Sequence, residues 1–151
     1  MYRIREVDGQ DEEVVETLTE LHRLTFFDSA RIPEFDNGHW WLAFRQALPI
    51  AFAGVVPSTH AYNAGYFTRV GVVRKHCGQG LQLRLMRAME SRVRRNGWSF
   101  VVSDTTDNVA SANNFIRAGY RLYRPQHPWA WPNTLTGGSL SCEGIAADID
   151  V

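Results

Sequence analysis

Residues 74–80 have the composition of an anion-binding turn. They read Arg-Lys-His-Cys-Gly-Gln-Gly, after an alternating apolar segment that predicts a strand and before an amphipathic segment, starting at Leu81, that predicts a helix. The first N–H groups of a helix lack acceptors in the preceding turn, and the helix dipole makes that end positive. Glycines at 78 and 80 allow an anion to approach the main chain. The pattern favours a phosphate or diphosphate site, and the alternative is a tight turn with packing glycines.

Two familiar nucleotide-binding motifs do not fit this turn. A P-loop requires lysine and then serine or threonine after its glycines, whereas Gly80 is followed by Leu-Gln-Leu. A dinucleotide fingerprint has another glycine spacing and follows the first strand of a β-α-β unit, whereas this strand ends a predicted meander.

The composition excludes several classes of protein. The chain has 151 residues, 44% hydrophobic and 21% charged, which is typical of one globular domain that buries about two-thirds of its unfolded surface. No apolar run reaches about 18 residues, and residues 1–7 do not form a secretory signal. Two cysteines support neither a disulfide framework nor a cysteine zinc site. We expect one cytoplasmic domain over residues 1–151, with no membrane segment and no metal.

Opposite charges are concentrated in different parts of a chain whose net charge is zero. Residues 1–36 contain ten acidic and four basic residues, whereas residues 69–124 contain eleven basic and three acidic ones. The basic half suggests an anionic ligand, and the alternative is two solvated faces of opposite sign. An arginine-rich nucleic-acid-binding domain is a remote alternative, because the zero net charge and the lack of a recognised motif argue against it. Its candidate contacts are Arg84, Arg87, Arg92, Arg94 and Arg95.

Periodicity assigns the chain to the α+β class. We expect strands over residues 2–7, 40–45, 48–56, 65–73, 98–103 and 120–124, and helices over residues 12–27, 81–95 and 107–118. A helical turn near residues 29–35 and a last strand near residues 139–145 complete the order β-α-(α)-β-β-β-α-β-α-β-(β). The tail from about residue 135 is weakly patterned, so its strand could be short or come from a partner chain.

Two segments resemble the GNAT N-acetyltransferases. Residues 70–86 are similar to that family's acetyl-CoA-binding segment, in which a strand leads through Arg/Gln-x-x-Gly-x-Gly/Ala into a helix. Residues 107–123 are similar to its downstream element with asparagine, tyrosine and glycine. The resemblance implies a mixed, largely antiparallel twisted sheet with helices on both faces. It also implies transfer of an acetyl group from acetyl-CoA to a primary amine by direct attack in a ternary complex.

The resemblance also assigns roles to residues around coenzyme A. Main-chain groups of Val70, Val72 and Val73 would contact the pantetheine arm, and an N–H there would polarise the thioester carbonyl. Asn108 and Phe115 would lie near the pantetheine, and Arg84 or Arg117 could contact the 3′-phosphate. The diphosphate would accept hydrogen bonds from the main chain of the turn, formed by Cys77, Gly78, Gln79, Gly80, Leu81 and Gln82.

Three residues depart from the family pattern. Cys77 replaces an arginine or glutamine, and Gln82 replaces a small residue at the helix start. Phe115 stands where the family commonly has the tyrosine that reprotonates the CoA thiolate, so the expected substitute is a water molecule or the hydroxyl of Ser111 or Tyr120. Phe115 also raises the alternative of a CoA-binding module with little or no catalysis. A nucleophilic Cys77 is a weaker alternative, because no histidine–aspartate relay can be placed around it.

The sequence gives weaker indications of the residues that would contact the acceptor. Asp104 could act as a general base or cap the next helix, and Glu34 and His39 could contact the acceptor or be solvated loop residues. Trp129 and Trp131 could form an aromatic wall or pack against the sheet edge. The acidic N-terminal region favours a cationic acceptor, either a small molecule or a protein amine. A homodimer is a further expectation.

Overall fold

The computed structural model describes residues 1–26, 30–59, 62–104, 117–123 and 144–148. The chain divides into two compact units. The first contains Met1–Val56 and Phe67–Arg92, and the second contains Pro57–Tyr66 and Val93–Val151.

The described elements are seven strands, two α-helices and one 3₁₀ turn. They are β1 (Tyr2–Val7), α1 (Glu12–Thr25), β2 (His39–Arg45), β3 (Leu48–Pro57), β4 (Ala64–Val72), the 3₁₀ turn (Arg74–His76), α2 (Leu81–Arg95), β5 (Phe100–Asp104), β6 (Arg121–Tyr123) and β7 (Gly144–Asp148). Within the described part of the chain, neither helix is long and apolar enough to span a membrane.

The first unit contains strands in the order β1-β2-β3-β4. β1 pairs with β2 and β2 pairs with β3 in antiparallel registers, which place Val7 beside Trp40 and Glu6 beside Trp41. The strands predicted over residues 40–45 and 48–56 are confirmed as β2 and β3, and the turn between them contains Gln46 with φ +55°.

Helix α1 covers one face of these strands. Asp11 caps it, because its side chain accepts from the Glu13 N–H at 2.9 Å. Leu18 and Leu21 are spaced for one face of the helix and are buried in a cluster with Trp40, Leu42, Phe52 and Phe35. This cluster is the apolar core that positions the loop before β2.

Helix α2 contacts the opposite face of β1. Val7 packs against the α1 cluster, so the alternation of a strand directs Glu6 to the other side. There Arg92 of α2 forms a two-pronged ion pair with Glu6, with N–O distances of 3.0 and 2.8 Å. The first unit therefore has helices on both faces of a largely antiparallel sheet, as predicted.

The second unit contains the start of β4, β5, β7 and β6, in the order β4-β5-β7-β6. β4 and β5 are parallel over three residue pairs, from Ala64↔Phe100 to Tyr66↔Val102. β7 pairs antiparallel with both β5 and β6. The predicted α+β class is confirmed.

Two local predictions were wrong. Residues 30–35 contain no helix, because Pro33 disfavours the helical conformation of the residue before it; residues 27–29 lie outside the described part. The last strand is Gly144–Asp148 and belongs to this chain. It lies later than the predicted residues 139–145, because the Ile-Ala-Ala run suits a strand that is paired on both sides. The helix predicted over residues 107–118 is largely outside the described residues, because residues 105–116 are not described.

Candidate functional site

The turn before α2 has the backbone that a main-chain anion site requires. The Gly80 carbonyl accepts from the Arg84 N–H at 3.2 Å, so α2 begins immediately after Gly80. Gly78 and Gly80 have φ values of +79° and +74°, in the left-handed region that favours glycine. A Cβ at either position would meet nothing within 4 Å, so the surface of the turn is open.

Charges around this turn favour an anion. The first turn of α2, all of whose residues are described, contains no acidic side chain. Arg74 and Lys75 are exposed in the 3₁₀ turn immediately before it. The helix dipole adds positive potential at the same place, so the turn can bind a phosphate or diphosphate through N–H groups.

Side chains from β1 and α2 hold the turn against β1. The Tyr2 hydroxyl is 3.0 Å from Nδ1 of His76, and the two rings meet edge to face. Arg84 donates from α2 to the Tyr2 carbonyl at 3.2 Å. Arg84, one of the two predicted 3′-phosphate contacts, is therefore also a structural link between α2 and β1.

Two of the predicted main-chain donors are already used within the fold. The Cys77 N–H donates to the Arg74 carbonyl at 3.2 Å, and the Val73 N–H donates to the Ile50 carbonyl at 2.9 Å. An N–H that closes a turn or a strand ladder is not directed at a ligand, so these two N–H groups are less suited to the coenzyme than the others in the predicted set. The Cys77 sulfur lies 3.6 Å from the Val72 carbonyl and 3.7 Å from that of Val73, a position that suits a thiol donor rather than a nucleophile.

Strand β4 presents different residues on its two faces. An added Cβ at Gly71 would collide with Thr25 and Phe52, so Gly71 allows α1 to approach β4 closely. Arg69 points to the same side, because it contacts His22 of α1. Alternation therefore places Thr68, Val70 and Val72 on the other face. The β4–β5 ladder ends at Tyr66, before Val70 and Val72 are reached.

A cavity of about 280 Å³ adjoins β4 in the first unit. Its polar lining comes from Arg31, Glu34, Asn37, Thr68 and Arg69. Its apolar lining comes from Ile32, Pro33, Trp40 and Val56. We call it the arginine cavity.

Arg69 is fixed in the wall of the arginine cavity. Its guanidinium donates to the Arg31 and Thr68 carbonyls at 3.1 and 2.8 Å and to Nε2 of His22 at 3.4 Å, and it lies over the Phe26 ring. The His22 ring must accept this bond through an unprotonated nitrogen. Burial, and after it the charge of Arg69, lowers the pKa of His22 below its usual 6.5. A neutral His22 therefore supports a positively charged Arg69.

A second cavity in the first unit has the opposite character. It has a volume of about 420 Å³, and we call it the acidic cavity because Glu6, Asp8 and Asp36 line it. His39 also lines this cavity, whereas Glu34 lines the arginine cavity. The structure therefore separates the two loop residues that were predicted together on the acceptor side.

The remaining predicted residues are only partly described. Asp104 is the last residue of β5, Tyr120 is 3% exposed, and Arg117 is exposed; all three belong to the second unit. Five predicted residues lie outside the described residues: Asn108, Ser111, Phe115, Trp129 and Trp131.

The arginines of α2 are largely engaged within the protein. Arg92 pairs with Glu6, Arg87 pairs with the buried Glu90 at 2.9 Å, and Arg84 bonds to β1. These contacts weaken the nucleic-acid alternative, because a phosphate backbone would have to compete with them. Among the described residues, no group of three histidine, cysteine, aspartate or glutamate side chains could hold a metal ion.

The site residues predicted from the sequence did not include Arg31, Asn37, Thr68 and Arg69, which line the arginine cavity. The available signal was an arginine inside an otherwise apolar strand, because Arg69 follows Tyr-Phe-Thr and precedes Val-Gly-Val. Arg31 and Asn37 stand in a loop without periodicity, so only the folded structure shows that they line the same cavity as Arg69.

Comparisons with known proteins agree with this architecture. A model of the acetyltransferase (GNAT) family matches residues 2–120. Ribosomal-protein-S18-alanine N-acetyltransferase from Escherichia coli has a similar structure, with a TM-score of 0.69 and 13% identity over 100% of this chain and 96% of that chain. The IAA acetyltransferase from Bacillus cereus matches with a TM-score of 0.73 and 12% identity, over 98% of this chain and 99% of that one.

A third similar structure contains the coenzyme. N-acetylglutamate synthase from Neisseria gonorrhoeae, complexed with coenzyme A and N-acetyl-glutamate, matches with a TM-score of 0.70 and 12% identity. The match covers 100% of this chain and 36% of that chain. A search of curated proteins found no match.

The family match extends over most of the chain and includes both the strand–turn–helix segment and the first part of the second unit. It confirms the resemblance on which the sequence analysis relied. The chain belongs to the acetyltransferase (GNAT) family.

Proposed function

We propose that this protein is an acetyl-CoA-dependent N-acetyltransferase that acts on a primary amine by direct attack in a ternary complex. The observation that carries the proposal is the open glycine turn at the start of α2, which directly follows β4. Two glycines with positive φ and a helix start without acidic side chains are suited to a diphosphate. The diphosphate donors are the N–H groups of Gly78, Gln79, Gly80, Leu81 and Gln82.

The pantetheine arm would extend along β4 from this turn. Main-chain groups of Val70 and Val72 are the proposed contacts, with Asn108 and Phe115 as further contacts. The β4–β5 ladder ends at Tyr66, before these residues, which supports their availability. Thr68 is two residues from Val70 on the same face of β4, so it lies about 7 Å away along the strand.

The coenzyme supplies an acetyl thioester, whose carbonyl carbon accepts the amine nitrogen as the carbon–sulfur bond breaks. The chain holds both reactants in one place, which converts a bimolecular step into one within a complex. A main-chain N–H at Val70 or Val72 would stabilise charge on the carbonyl oxygen. The amine loses one proton and the sulfur gains one; Asp104 is the proposed base, and Tyr120 or Ser111 the proposed donor.

The proposal also covers the location, the domain organisation and the assembly of the protein. We place the enzyme in the cytoplasm as one functional domain over residues 1–151, with no metal requirement and with a homodimer as its assembly. The amine acceptor is either a small molecule or a protein.

Titration with acetyl-CoA tests the proposal. Gly80→Asp puts a carboxylate in the open turn, where like charges about 4 Å apart cost several kcal/mol, so acetyl-CoA should bind more than about 100-fold more weakly by calorimetry. The matched control is Gly97→Asp, because Gly97 has φ +75° and equally open surroundings but follows the other end of α2. It should bind acetyl-CoA like the wild type.

Release of free CoA thiol is the second measurement. Wild-type protein with a broad panel of amines should release thiol above the hydrolysis background. Wild-type affinity in Gly80→Asp would contradict the assignment of the site. Tight binding without thiol release for any amine would show a CoA-binding module instead of an enzyme.

A further inference from the structure

We propose that the acceptor is a small amine that also carries a carboxylate, and that it binds in the arginine cavity. This inference rests on the proposed N-acetyltransferase function. It names the chemical class of the acceptor, which neither the family nor the turn before α2 specifies.

Two cations line the arginine cavity and one anion opposes them. Arg31 is exposed in the loop before β2, and Arg69 is held in the wall by its bonds to the Arg31 carbonyl and His22. Because those bonds fix the direction of the Arg69 guanidinium, a carboxylate that reaches it loses little side-chain entropy on binding. Arg31 can turn towards the same carboxylate and complete a charge-assisted contact.

Glu34 supplies the complementary charge for the amine. Its side chain is exposed in the same cavity, and its main chain is fixed by the bond from the Asn37 N–H at 3.1 Å. With Arg31, Arg69 and Glu34 the lining has a formal charge of +1, which suits a molecule with one ammonium and one carboxylate better than a polyamine. Ile32, Pro33 and Val56 offer apolar surface to the rest of the acceptor.

The size and place of the arginine cavity support a small acceptor. Its volume of about 280 Å³ is just below the usual range for small-molecule sites, which favours a small acceptor. Thr68 and Arg69 line it from β4, immediately before the main chain of Val70 and Val72, where the thioester is proposed to lie. The cavity therefore adjoins the strand segment that is proposed to hold the acetyl group.

Among the described acidic residues of positions 1–36, only Glu34 lines the arginine cavity. Glu6, Asp8 and Asp36 line the acidic cavity, and Glu6 is already paired with Arg92. Charge counted over the first 36 residues therefore does not describe the lining of the cavity beside β4.

Matched acceptors test the inference. Each pair consists of an α-amino acid and its carboxamide, which share the amine and the side chain and differ in the carboxylate. We expect wild-type protein to acetylate the best acids with a kcat/KM at least about tenfold above that of their amides, because an amide cannot make the charge-assisted contacts to Arg31 and Arg69. Arg31→Gln should reduce this ratio at least about threefold, because Arg69 alone then contacts the carboxylate, and Glu34→Gln should weaken both members of a pair equally.

The controls separate this inference from the proposed function. Arg23→Gln removes an exposed arginine of α1 that pairs with Glu20, and it should leave the acid-to-amide ratio unchanged. Calorimetric binding of the same acids and amides to protein saturated with CoA gives a readout without turnover. Equal or better use of amides, or an acid-to-amide ratio that Arg31→Gln leaves unchanged, would overturn the inference while leaving the enzyme assignment intact. Absence of acetyl-CoA binding would instead overturn the proposed function, and the acid-to-amide binding ratio of the free protein would still decide the inference.

Discussion

The turn before α2 and the arginine cavity are two regions of one unit that are built in opposite ways. The turn uses consecutive residues and offers main-chain N–H groups in an open surface, where a Cβ at Gly78 or Gly80 would meet no atom. The cavity uses side chains from the loop before β2, from β2, from β3 and from β4. A site made of backbone tolerates side-chain replacements that keep φ and add no negative charge, whereas a site made of side chains depends on each of them and on the core behind it.

The core behind the cavity is centred on Trp40. Trp40 is 1% exposed. Its ring packs edge to face against Phe35, with ring centroids 4.7 Å apart, and lies nearly parallel to the ring of Phe52. Its Nε1–H donates to the Asn37 carbonyl at 2.8 Å, which fixes the loop that carries Glu34 and Asn37. The acceptor side therefore shares its support with the fold itself.

Trp40→Ala is expected to have the largest effect among the variants that distinguish the arginine cavity from the turn before α2. Removing a buried tryptophan should lower the free energy of unfolding by about 3–5 kcal/mol, because the cavity left behind cannot collapse fully. The folded variant should bind acetyl-CoA within about threefold of wild type, since the turn before α2 does not use Trp40. Denaturant unfolding and acetyl-CoA calorimetry measure the two quantities.

Leu83→Ala is the control for this truncation. Leu83 lies in the first turn of α2 and is 44% exposed, so its loss should change stability by no more than about 0.5 kcal/mol. If Trp40→Ala weakened acetyl-CoA binding as severely as Gly80→Asp, the two regions would not be separable and the comparison would fail.

A smaller effect is expected from lowering the pH, and it should concern only the arginine cavity and its support. Burial and Arg69 lower the pKa of His22 below 6.5, so near pH 7 the ring is neutral in both the folded and the unfolded chain. Below pH 6.5 the unfolded chain takes up a proton that the folded protein resists. The free energy of unfolding should therefore fall with decreasing pH towards the folded pKa, by at most about 1.4 kcal/mol per unit.

His22→Gln isolates this contribution. Glutamine can still accept from Arg69 but does not titrate, so the loss of stability between pH 7.5 and 5.5 should be smaller than in wild type. Other titrating groups cancel in the difference between the two proteins. KM for the acceptor should rise at low pH in the wild type, because a protonated His22 would repel the Arg69 that it supports. Equal pH slopes in both proteins would show that His22 does not hold Arg69 in this way.

The same contrast explains how much could be predicted from the sequence. The turn before α2 was recognisable because its requirements fall on neighbouring positions, with glycine wherever φ is positive. The arginine cavity was not, because Arg31 and Arg69 are 38 positions apart and no local periodicity links them. The acidic N-terminal region is a related case, because a count of charges does not reveal that Glu6, Asp8 and Asp36 line a different cavity from Glu34.

The smallest effect is expected from Tyr2→Phe, which tests whether the turn depends on anything besides its own backbone. The change removes the hydroxyl that lies 3.0 Å from His76 and keeps the ring and the main-chain carbonyl that accepts from Arg84. A hydrogen bond of this kind contributes about 1 kcal/mol, so acetyl-CoA should bind about two- to fivefold more weakly, with acceptor KM unchanged. Tyr62→Phe, at a tyrosine that is 94% exposed, should have no effect on either quantity. A larger loss of acetyl-CoA affinity than this would mean that the turn is held in its binding conformation by side chains, and that the contrast with the arginine cavity is one of degree.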